Sequence, residues 1–224
     1  ALLAGAGDDT LIGGAGGSYA EPGTGSDEIT GNDGSQGANE ISYIFDTYFG
    51  DGIASGIEVT FDGEFSGSII DYAGDTDTFS GIQRIRGTIN DDTITGAEGD
   101  QQIWLFGGDD TIDLGAGDGD EISYIRVSGD FGATSGADVD MEAGVVIDPY
   151  CGTDTFTNVE KVTGSSFEDI LRGSSGDDEL QGGDGDDTFQ GRGGDDYFGG
   201  GDGLDTAQFG GVFGNYILTL DGNT

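Results

Sequence analysis

The stretch GGDGDDTFQ, residues 182–190, sets three aspartates in a glycine-rich turn and follows them with one large apolar residue, Phe189. The nine residues before it, GSSGDDELQ (173–181), and the nine after it, GRGGDDYFG (191–199), follow the same pattern. All three units place Asp sixth and a large apolar residue eighth. Repetition at a fixed period indicates a stacked repeat architecture, which has to be sought before individual elements are predicted.

Five consecutive units keep this period from residue 164 to residue 208. Their sixth-position residues are Asp169, Asp178, Asp187, Asp196 and Asp205. Their eighth-position residues are Leu171, Leu180, Phe189, Phe198 and Ala207. An acidic chain of random order would not keep both columns together.

Two earlier blocks follow the nine-residue period less strictly. In the second block, which starts at residue 87, the sixth-position residues are Asp92, Gln101 and Asp110, and the next unit, LGAGDGDEI, slips by one residue. In the first block, which starts at residue 4, they are Asp9, Ser18, Asp27 and Gln36. Every second unit of the first block therefore lacks its carboxylate.

A longer repeat joins these blocks, because residues 74–96 recur in similar form at 151–173, an offset of 77. The sections between blocks are rich in β-branched and aromatic residues, which favour strands. We predict one continuous solenoid of six segments. The nonapeptide blocks are 1–39, 87–122 and 164–208, the linking β segments are 40–86 and 123–163, and a further β segment starts at 209–224.

The charge of the chain restricts its partners. Asp and Glu number 45 against 6 Lys and Arg, which gives a net charge of -39. Such a chain repels nucleic acid and anionic membrane surfaces, so cations are its natural partners. No run of 18 apolar residues is present, so we expect no membrane span. Abundant glycine and few apolar residues would ordinarily favour disorder, and the strict period is the argument against that alternative.

The residue types also argue against catalysis within this chain. Histidine is absent, which removes the usual general base and the commonest zinc ligand. Acidic pairs are so numerous that none of them indicates a glycosidase. We therefore expect no catalytic or cofactor-binding residues here, and any catalytic domain would lie outside this chain. Cys151 has no second cysteine to pair with, and we expect a buried thiol.

The spacing of positions six and eight has a physical explanation. In a three-residue strand at positions seven to nine only the middle side chain points inward, so one apolar residue in nine lines a narrow interior. The other six residues reverse the chain, which glycine permits. Two nonapeptides then form one 18-residue coil, and successive coils stack as parallel strands about 4.8 Å apart. The predicted fold is an all-β, parallel β-roll or β-helix solenoid.

Stacking places sixth-position aspartates of alternate units in one row. Carboxylates one strand spacing apart repel each other, by several kcal/mol per pair where water is partly excluded. A cation between them would relieve this repulsion. Carboxylates together with turn carbonyls suit Ca²⁺ and its six to eight oxygen ligands better than they suit Mg²⁺.

These units resemble a known family. GGDGDDTFQ is similar to the GGxGxDxUx repeat of RTX (repeat-in-toxin) proteins. The resemblance covers the three blocks, about half the chain, and it implies a right-handed β-roll with Ca²⁺ held between turns n and n+2 by sixth-position Asp and main-chain carbonyls. The phrase GTDTFTNVEKVTGSSFEDILRG, residues 152–173, resembles the linking segments of RTX arrays and of serralysin-type proteases and other type I secreted proteins.

Carried over residue by residue, the resemblance implies at least five calcium sites. The pairs are Asp9 with Asp27, Asp92 with Asp110, Asp169 with Asp187, Asp187 with Asp205, and Asp178 with Asp196. Ser18 above Gln36, and Gln101 without a clear partner, predict weak or vacant positions on one edge of the first two blocks.

The predicted function is that of a calcium-binding structural module of a secreted or cell-surface bacterial protein, which folds when it meets calcium outside the cell. The alternative is a carbohydrate-binding or substrate-guiding module of a secreted polysaccharide-active enzyme or protease. The basic residues Arg84, Arg86 and Lys161 lie in equivalent linking segments, which favours a shared packing role over glycan binding. Trp104, at an outward ninth position, is expected to pack against a neighbouring loop.

Overall fold

In a computed structural model of the chain, residues 1–14, 16–32, 38–44, 55–125 and 133–210 are described. In these ranges the regular structure consists of short β-strands. In chain order they are β1 (Leu2–Ala6), β2 (Thr10–Ile12), β3 (Tyr19–Thr24), β4 (Glu28–Thr30), β5 (Glu40–Ser42), β6 (Glu58–Gly63), β7 (Ser66–Ile70), β8 (Thr76–Ser80), β9 (Arg84–Arg86), β10 (Thr93–Glu98), β11 (Gln102–Trp104), β12 (Thr111–Ala116), β13 (Glu121–Ser123), β14 (Asp138–Asp140), β15 (Val145–Ile147), β16 (Thr153–Thr157), β17 (Lys161–Thr163), β18 (Ile170–Arg172), β19 (Glu179–Asp184), β20 (Thr188–Gln190), β21 (Tyr197–Asp202) and β22 (Thr206–Ala207).

These strands form two sheets. Sheet 1 has the order β1-β3-β5-β9-β11-β13-β17-β19-β21, and sheet 2 has the order β2-β4-β8-β7-β6-β10-β12-β16-β15-β14-β18-β20-β22. Within a nonapeptide block, consecutive strands alternate between the sheets and pair in parallel with the strand two further on. Thr93 thus pairs with Thr111, and Ile170 with Thr188, at the 18-residue spacing of one coil. The predicted all-β fold with parallel sheets is confirmed.

The linking segments depart from this uniform pattern. In the first one, β7 pairs antiparallel with both β6 and β8, and in the second one β15 does so with β14 and β16. The outer strands of each three-stranded unit pair in parallel with the neighbouring blocks, so both sheets continue past the linking segments. Each linking segment therefore adds three strands to sheet 2 where a nonapeptide would add one. The boundaries of the six segments stay predictions, and residues 211–224 of the last one lie outside the described residues.

One hydrophobic core lies between the sheets and is filled by the middle residue of each short strand. Ile94, Ile112, Leu171 and Leu180 from eighth positions are all at most 2% exposed. Tyr43 and Tyr124 from the linking segments, and Phe189, join the core, and Phe198 packs against it while staying partly exposed. Ala207 is exposed, because its strand β22 is the last in sheet 2.

The expectation of a buried Cys151 was wrong. Cys151 is exposed and has a φ of 80° in the turn between β15 and β16. The chain reverses here between two antiparallel strands, and a turn is one of the places where a non-glycine residue adopts a left-handed φ.

The fourth-position glycines allow the coils to stack closely. Gly185 has a φ of 130°, and a Cβ added there would lie 2.5 Å from the carbonyl oxygen of Phe167 in the coil before. Side chains are excluded from this position by both the backbone conformation and the neighbouring coil.

We expect the substitution Gly185→Ala to destabilise the folded protein by about 1 to 3 kcal/mol, because it places a Cβ at a left-handed, sterically closed position. The matched control is Gly14→Ala, since a Cβ at Gly14 meets nothing within 4 Å. Urea unfolding in saturating calcium measures both free energies. Equal stability of the two variants would contradict the proposed packing of the turns.

Candidate metal centre

The sixth-position aspartates form a ladder in which the backbone of one rung binds the side chain of the next. On the sheet 2 edge, the backbone N–H of a sixth-position Asp donates to the Oδ1 of the sixth-position Asp one coil later. These hydrogen bonds run from Asp9 to Asp27, from Asp92 to Asp110 and from Asp169 to Asp187 at 2.8 Å each, and from Asp187 to Asp205 at 3.1 Å. On the sheet 1 edge, the N–H of Asp178 donates to Asp196 at 3.2 Å. The structure thus brings each of the five predicted pairs together. Their role as metal ligands stays a prediction.

The ladder continues into the linking segments through two aspartates that the sequence analysis did not include. The N–H of Asp27 donates to Asp77 Oδ1 at 2.8 Å, and that of Asp110 to Asp154 Oδ1 at 3.0 Å. The other oxygen of Asp77 accepts the hydroxyl of Tyr43, and the corresponding oxygen of Asp154 accepts that of Tyr124. The signal was present in the repeated phrase TDTF, where Asp precedes an inward Phe by two residues, as position six precedes position eight.

Gln101 has a column partner, contrary to the expectation that it had none. Its N–H donates to Asp120 Oδ1 at 2.7 Å, and the N–H of Asp120 donates to Glu160 Oε2 at 3.2 Å. The partner lies 19 residues on, because the unit LGAGDGDEI contains one extra residue.

The partner predicted for Ser18 is also different. Tyr19 pairs with Glu40, so Ser18 aligns with Asn39, while Gln36 lies outside the described residues. The N–H of Asn39 donates to the side-chain oxygen of Gln83 at 2.8 Å. Amides and a hydroxyl therefore occupy the beginning of the sheet 1 ladder, where the sequence predicts weak or vacant metal positions.

A second set of aspartates, at position five, links consecutive turns on their exposed side. The Oδ1 atom of each of these aspartates accepts a hydrogen bond from a backbone N–H of the next coil. These contacts join Asp8 to Ser26 at 3.0 Å, Asp91 to Asp109, Asp109 to Thr153 and Asp186 to Leu204 at 2.8 Å each, and Asp177 to Asp195 at 2.7 Å. The fifth-position carboxylates thus have a structural role that the sequence analysis did not assign.

Several ladder carboxylates are buried without a partner for their second oxygen. Asp27, Asp110 and Asp187 are each at most 2% exposed, and their Oδ2 atoms accept no hydrogen bond. A buried, unsatisfied charged oxygen is costly, so a cation is the natural complement. In the units of Asp187 and Asp205 a first-position glycine leaves space beside the carboxylate, since a Cβ at Gly182 would lie 1.9 Å from Asp187 Oδ2 and one at Gly200 would lie 2.1 Å from Asp205 Oδ2.

This donor set fits a hard cation that takes part of its ligands from the main chain. In the described ranges no group of three or more acidic side chains is arranged to hold a metal ion by itself. Paired carboxylates and turn carbonyls would therefore have to share the coordination, as Ca²⁺ with its flexible oxygen geometry allows.

Burial also changes the protonation of the ladder. It raises the pKa of Asp92 and of Asp169 to about 6 each. Burial, reinforced by repulsion from Asp92 and Asp154, raises the pKa of Asp110 as well. Without a cation, these carboxylates bind protons more tightly than they do in an unfolded chain.

The stacked nonapeptides with paired carboxylates can be compared with known families. The family described as RTX calcium-binding nonapeptide repeat (4 copies) matches this chain in five ranges, some of which overlap. The ranges are 2–17, 77–100, 86–120, 163–197 and 172–207. The chain contains RTX calcium-binding nonapeptide repeats. The match at 77–100 begins at Asp77, in agreement with the place of that residue in the ladder.

RTX repeats bind calcium, and the chain is accordingly a calcium-binding repeat module of RTX type whose repeat region is structural and non-catalytic. A search of curated proteins gives no match for this chain. Among the residues that the structure describes, no helix has the length and apolar character needed to cross a membrane.

We expect the calcium-free protein to be more stable at pH 4 than at pH 7. A pKa of about 6 in the folded state, against an ordinary 3.8 for Asp92 and Asp169, means that the folded state binds more protons in this window. Proton binding therefore stabilises the folded state by about 1 to 3 kcal/mol per group. This stabilisation is fully present below pH 3.8 and is lost as the pH rises through about 6. Far-UV circular dichroism of the calcium-stripped protein between pH 4 and pH 7 measures the folded fraction on which this stability depends. The variant Asp169→Asn should show a smaller pH dependence, and stability that increases with pH would contradict the argument.

Proposed function

We propose that this chain is a calcium-controlled folding module of a protein secreted by a bacterium, unfolded at cytosolic calcium concentrations and folded outside the cell. The observation that carries the proposal is the set of buried, unpartnered Oδ2 atoms at Asp27, Asp110 and Asp187. These atoms make the folded state unfavourable for an ionised, metal-free chain.

The net charge strengthens this dependence. The chain carries -39, while its six basic residues are too few to compensate the acidic ladders. Self-repulsion of this size opposes compaction, and it grows as the coils bring carboxylates together. Bound Ca²⁺ would supply positive charge and oxygen coordination between the rungs. The residues of the chain that hold it are the paired sixth-position aspartates and the turn carbonyls beside them.

The magnitudes permit a switch. At about 10 mM Ca²⁺ and a Kd of about 1 mM, one site adds about 1.4 kcal/mol to the stability of the folded state. Five predicted sites would add about 7 kcal/mol, which is comparable with the whole stability of about 5 to 15 kcal/mol of a typical domain. At micromolar calcium the same sites add almost nothing.

The proposal also places the folded protein outside the cell. RTX repeats are typical of secreted bacterial proteins, and a chain that folds only in calcium stays unfolded until it has left the cytosol. Type I secretion fits this behaviour. In the parent protein the module would serve as a spacer, a secretion aid or part of an adhesin or surface layer, and any catalytic domain would lie elsewhere.

The contacts of the basic residues do not favour the carbohydrate-binding alternative. Arg84 and Arg86 lie 4.3 and 4.4 Å from the ring centre of Trp104, one at each end of its neighbouring strand β9. Both guanidinium groups also pair with Glu40, at 3.3 and 2.5 Å, and Lys161 pairs with Glu179 at 3.5 Å. These groups are engaged within sheet 1, so the acidic glycan that the alternative requires would have to displace internal partners. Trp104 packs against the two arginines of β9 rather than against a loop.

We expect a cooperative gain of β structure on addition of calcium and none on addition of magnesium, because Mg²⁺ demands stricter geometry and keeps its waters. Far-UV circular dichroism during parallel titrations with the two cations measures this. A complete β spectrum in excess chelator at pH 7 would exclude calcium-controlled folding. A glycan array in calcium tests the alternative, and specific sugar binding would support it.

Removal of one ladder carboxylate should weaken the calcium response. We expect Asp187→Asn to raise the calcium concentration at half-folding on the order of two-fold or more, since a site is worth about 1.4 kcal/mol. The matched control is Asp186→Asn, which removes the same charge from the exposed fifth position, where an amide oxygen can still accept the N–H of Leu204. Equal midpoints for the two variants would show that only net charge matters.

A further inference from the structure

We propose that the nonapeptide units are of two kinds, and that a Ser or Thr at position two closes a unit by hydrogen bonds in place of calcium. Units without this hydroxyl stay open and take up calcium first. The inference rests on the proposed function and decides which of the five predicted sites are strong.

Three units in the described ranges share the closed arrangement. The N–H of the second residue donates to the Oδ2 of the sixth-position Asp, and its hydroxyl donates to Oδ1. The pairs are Thr88 with Asp92 (2.7 and 2.9 Å), Ser165 with Asp169 (2.8 and 2.9 Å) and Ser174 with Asp178 (2.6 and 3.0 Å). Both oxygens of each of these carboxylates are therefore satisfied by the chain itself.

The same hydroxyl also fixes the turn. It accepts the backbone N–H of the fourth residue, from Asn90 at 3.0 Å, from Phe167 at 3.1 Å and from Gly176 at 3.0 Å. None of these three fourth residues has a left-handed φ. A closed turn thus tolerates Asn or Phe at position four.

The open units differ in the carboxylate and in the backbone. Asp27, Asp110 and Asp187 each have an Oδ2 without a partner, and the second residues of their units are Gly23, Phe106 and Gly183, which carry no hydroxyl. Their fourth residues are Gly25, Gly108 and Gly185, with φ of 118°, 112° and 130°. The absence of the hydroxyl, the free carboxylate oxygen and the left-handed glycine therefore occur together.

This division ranks the predicted calcium sites. A cation at a closed unit would have to replace two donors to the carboxylate, whereas an open unit presents a free oxygen. Asp9 and Asp205 also lie in units with glycine at position two, Gly5 and Gly201. The pairs Asp9–Asp27 and Asp187–Asp205 are then open on both sides, while each of the other three pairs contains one closed unit, that of Asp92, Asp169 or Asp178.

Closed units occupy a particular place in the chain. Two of them, starting at Gly87 and Gly164, are the first units after the linking segments, and the third, starting at Gly173, follows directly. The coils that join a linking segment to a nonapeptide block thus hold their turns with hydroxyls. Calcium binds first at the open units of the blocks.

The first test counts calcium ions bound to the full chain by equilibrium dialysis across a calcium series. We expect two classes, with two ions bound more tightly than the rest. Five equivalent sites would overturn the inference while leaving the proposed function intact. No bound calcium at all would refute the proposed function itself.

The second test uses the two adjacent serines of each GSS sequence as matched variants. Ser165→Ala with Ser174→Ala removes the closing hydroxyls, and Ser166→Ala with Ser175→Ala removes the neighbouring ones. We expect the first double variant to need about three-fold more calcium at half-folding, because it loses charge-assisted hydrogen bonds. The control should not shift, and both should bind the same number of ions at saturation.

Two results would contradict the closing role. A loss of bound ions at saturation in the Ser165→Ala, Ser174→Ala variant, with circular dichroism showing it folded, would make the hydroxyls calcium ligands. A folding midpoint equal to that of the control variant would show that the hydroxyls stabilise nothing.

Discussion

The structure depends on one electrostatic constraint, which is that stacking the coils places aspartate side chains one strand spacing apart along both sheet edges. Parallel pairing of the strands fixes this spacing at about 4.8 Å. The chain reduces the cost with backbone N–H donors, since Asp169 donates to Asp187 and Asp187 to Asp205. These donors satisfy one oxygen of Asp187 and one of Asp205. The second oxygen has to be satisfied by something else.

In the described part of the chain, that second oxygen is treated differently from one kind of unit to another. In the closed units a Ser or Thr at position two donates to the carboxylate, as Ser165 does to Asp169. In the linking segments a buried tyrosine hydroxyl donates, as Tyr124 does to Asp154 at 2.6 Å. In the open units, such as that of Asp187, the chain supplies no donor. Dependence on calcium is in this account a property of particular units rather than of the whole repeat.

The sequence predicts the nonapeptide blocks well because their information is local. Position eight faces the core and position six faces the turn within nine residues, so Leu180 and Asp178 can be placed without knowledge of any distant contact. The linking segments are less predictable. Their antiparallel strands β7 and β15 pair with the strands next to them in the chain, as Gly63 does with Ser66 and Asp140 with Val145, and the nine-residue period carries no signal for such hairpins. The ladder positions of Asp77 and Asp154 follow from TDTF itself, because the Asp precedes an inward Phe by two residues although the phrase lies in a linking segment.

Other features depend on backbone geometry that composition does not reveal. Cys151 lies exposed in a turn with a left-handed φ, and Asp120 joins the ladder because one extra residue shifts its unit. The sequence GSSG places the hydroxyl of Ser174 at position two, but the role of this hydroxyl follows only from its contacts with Asp178 and Gly176.

The most direct measurement of the central claim is a crystal structure of the calcium-saturated protein, with anomalous scattering recorded to locate the metal. The account predicts an ion between the carboxylates of Asp187 and Asp205, where both units are open. A fully formed coil without metal density between these two side chains would contradict it.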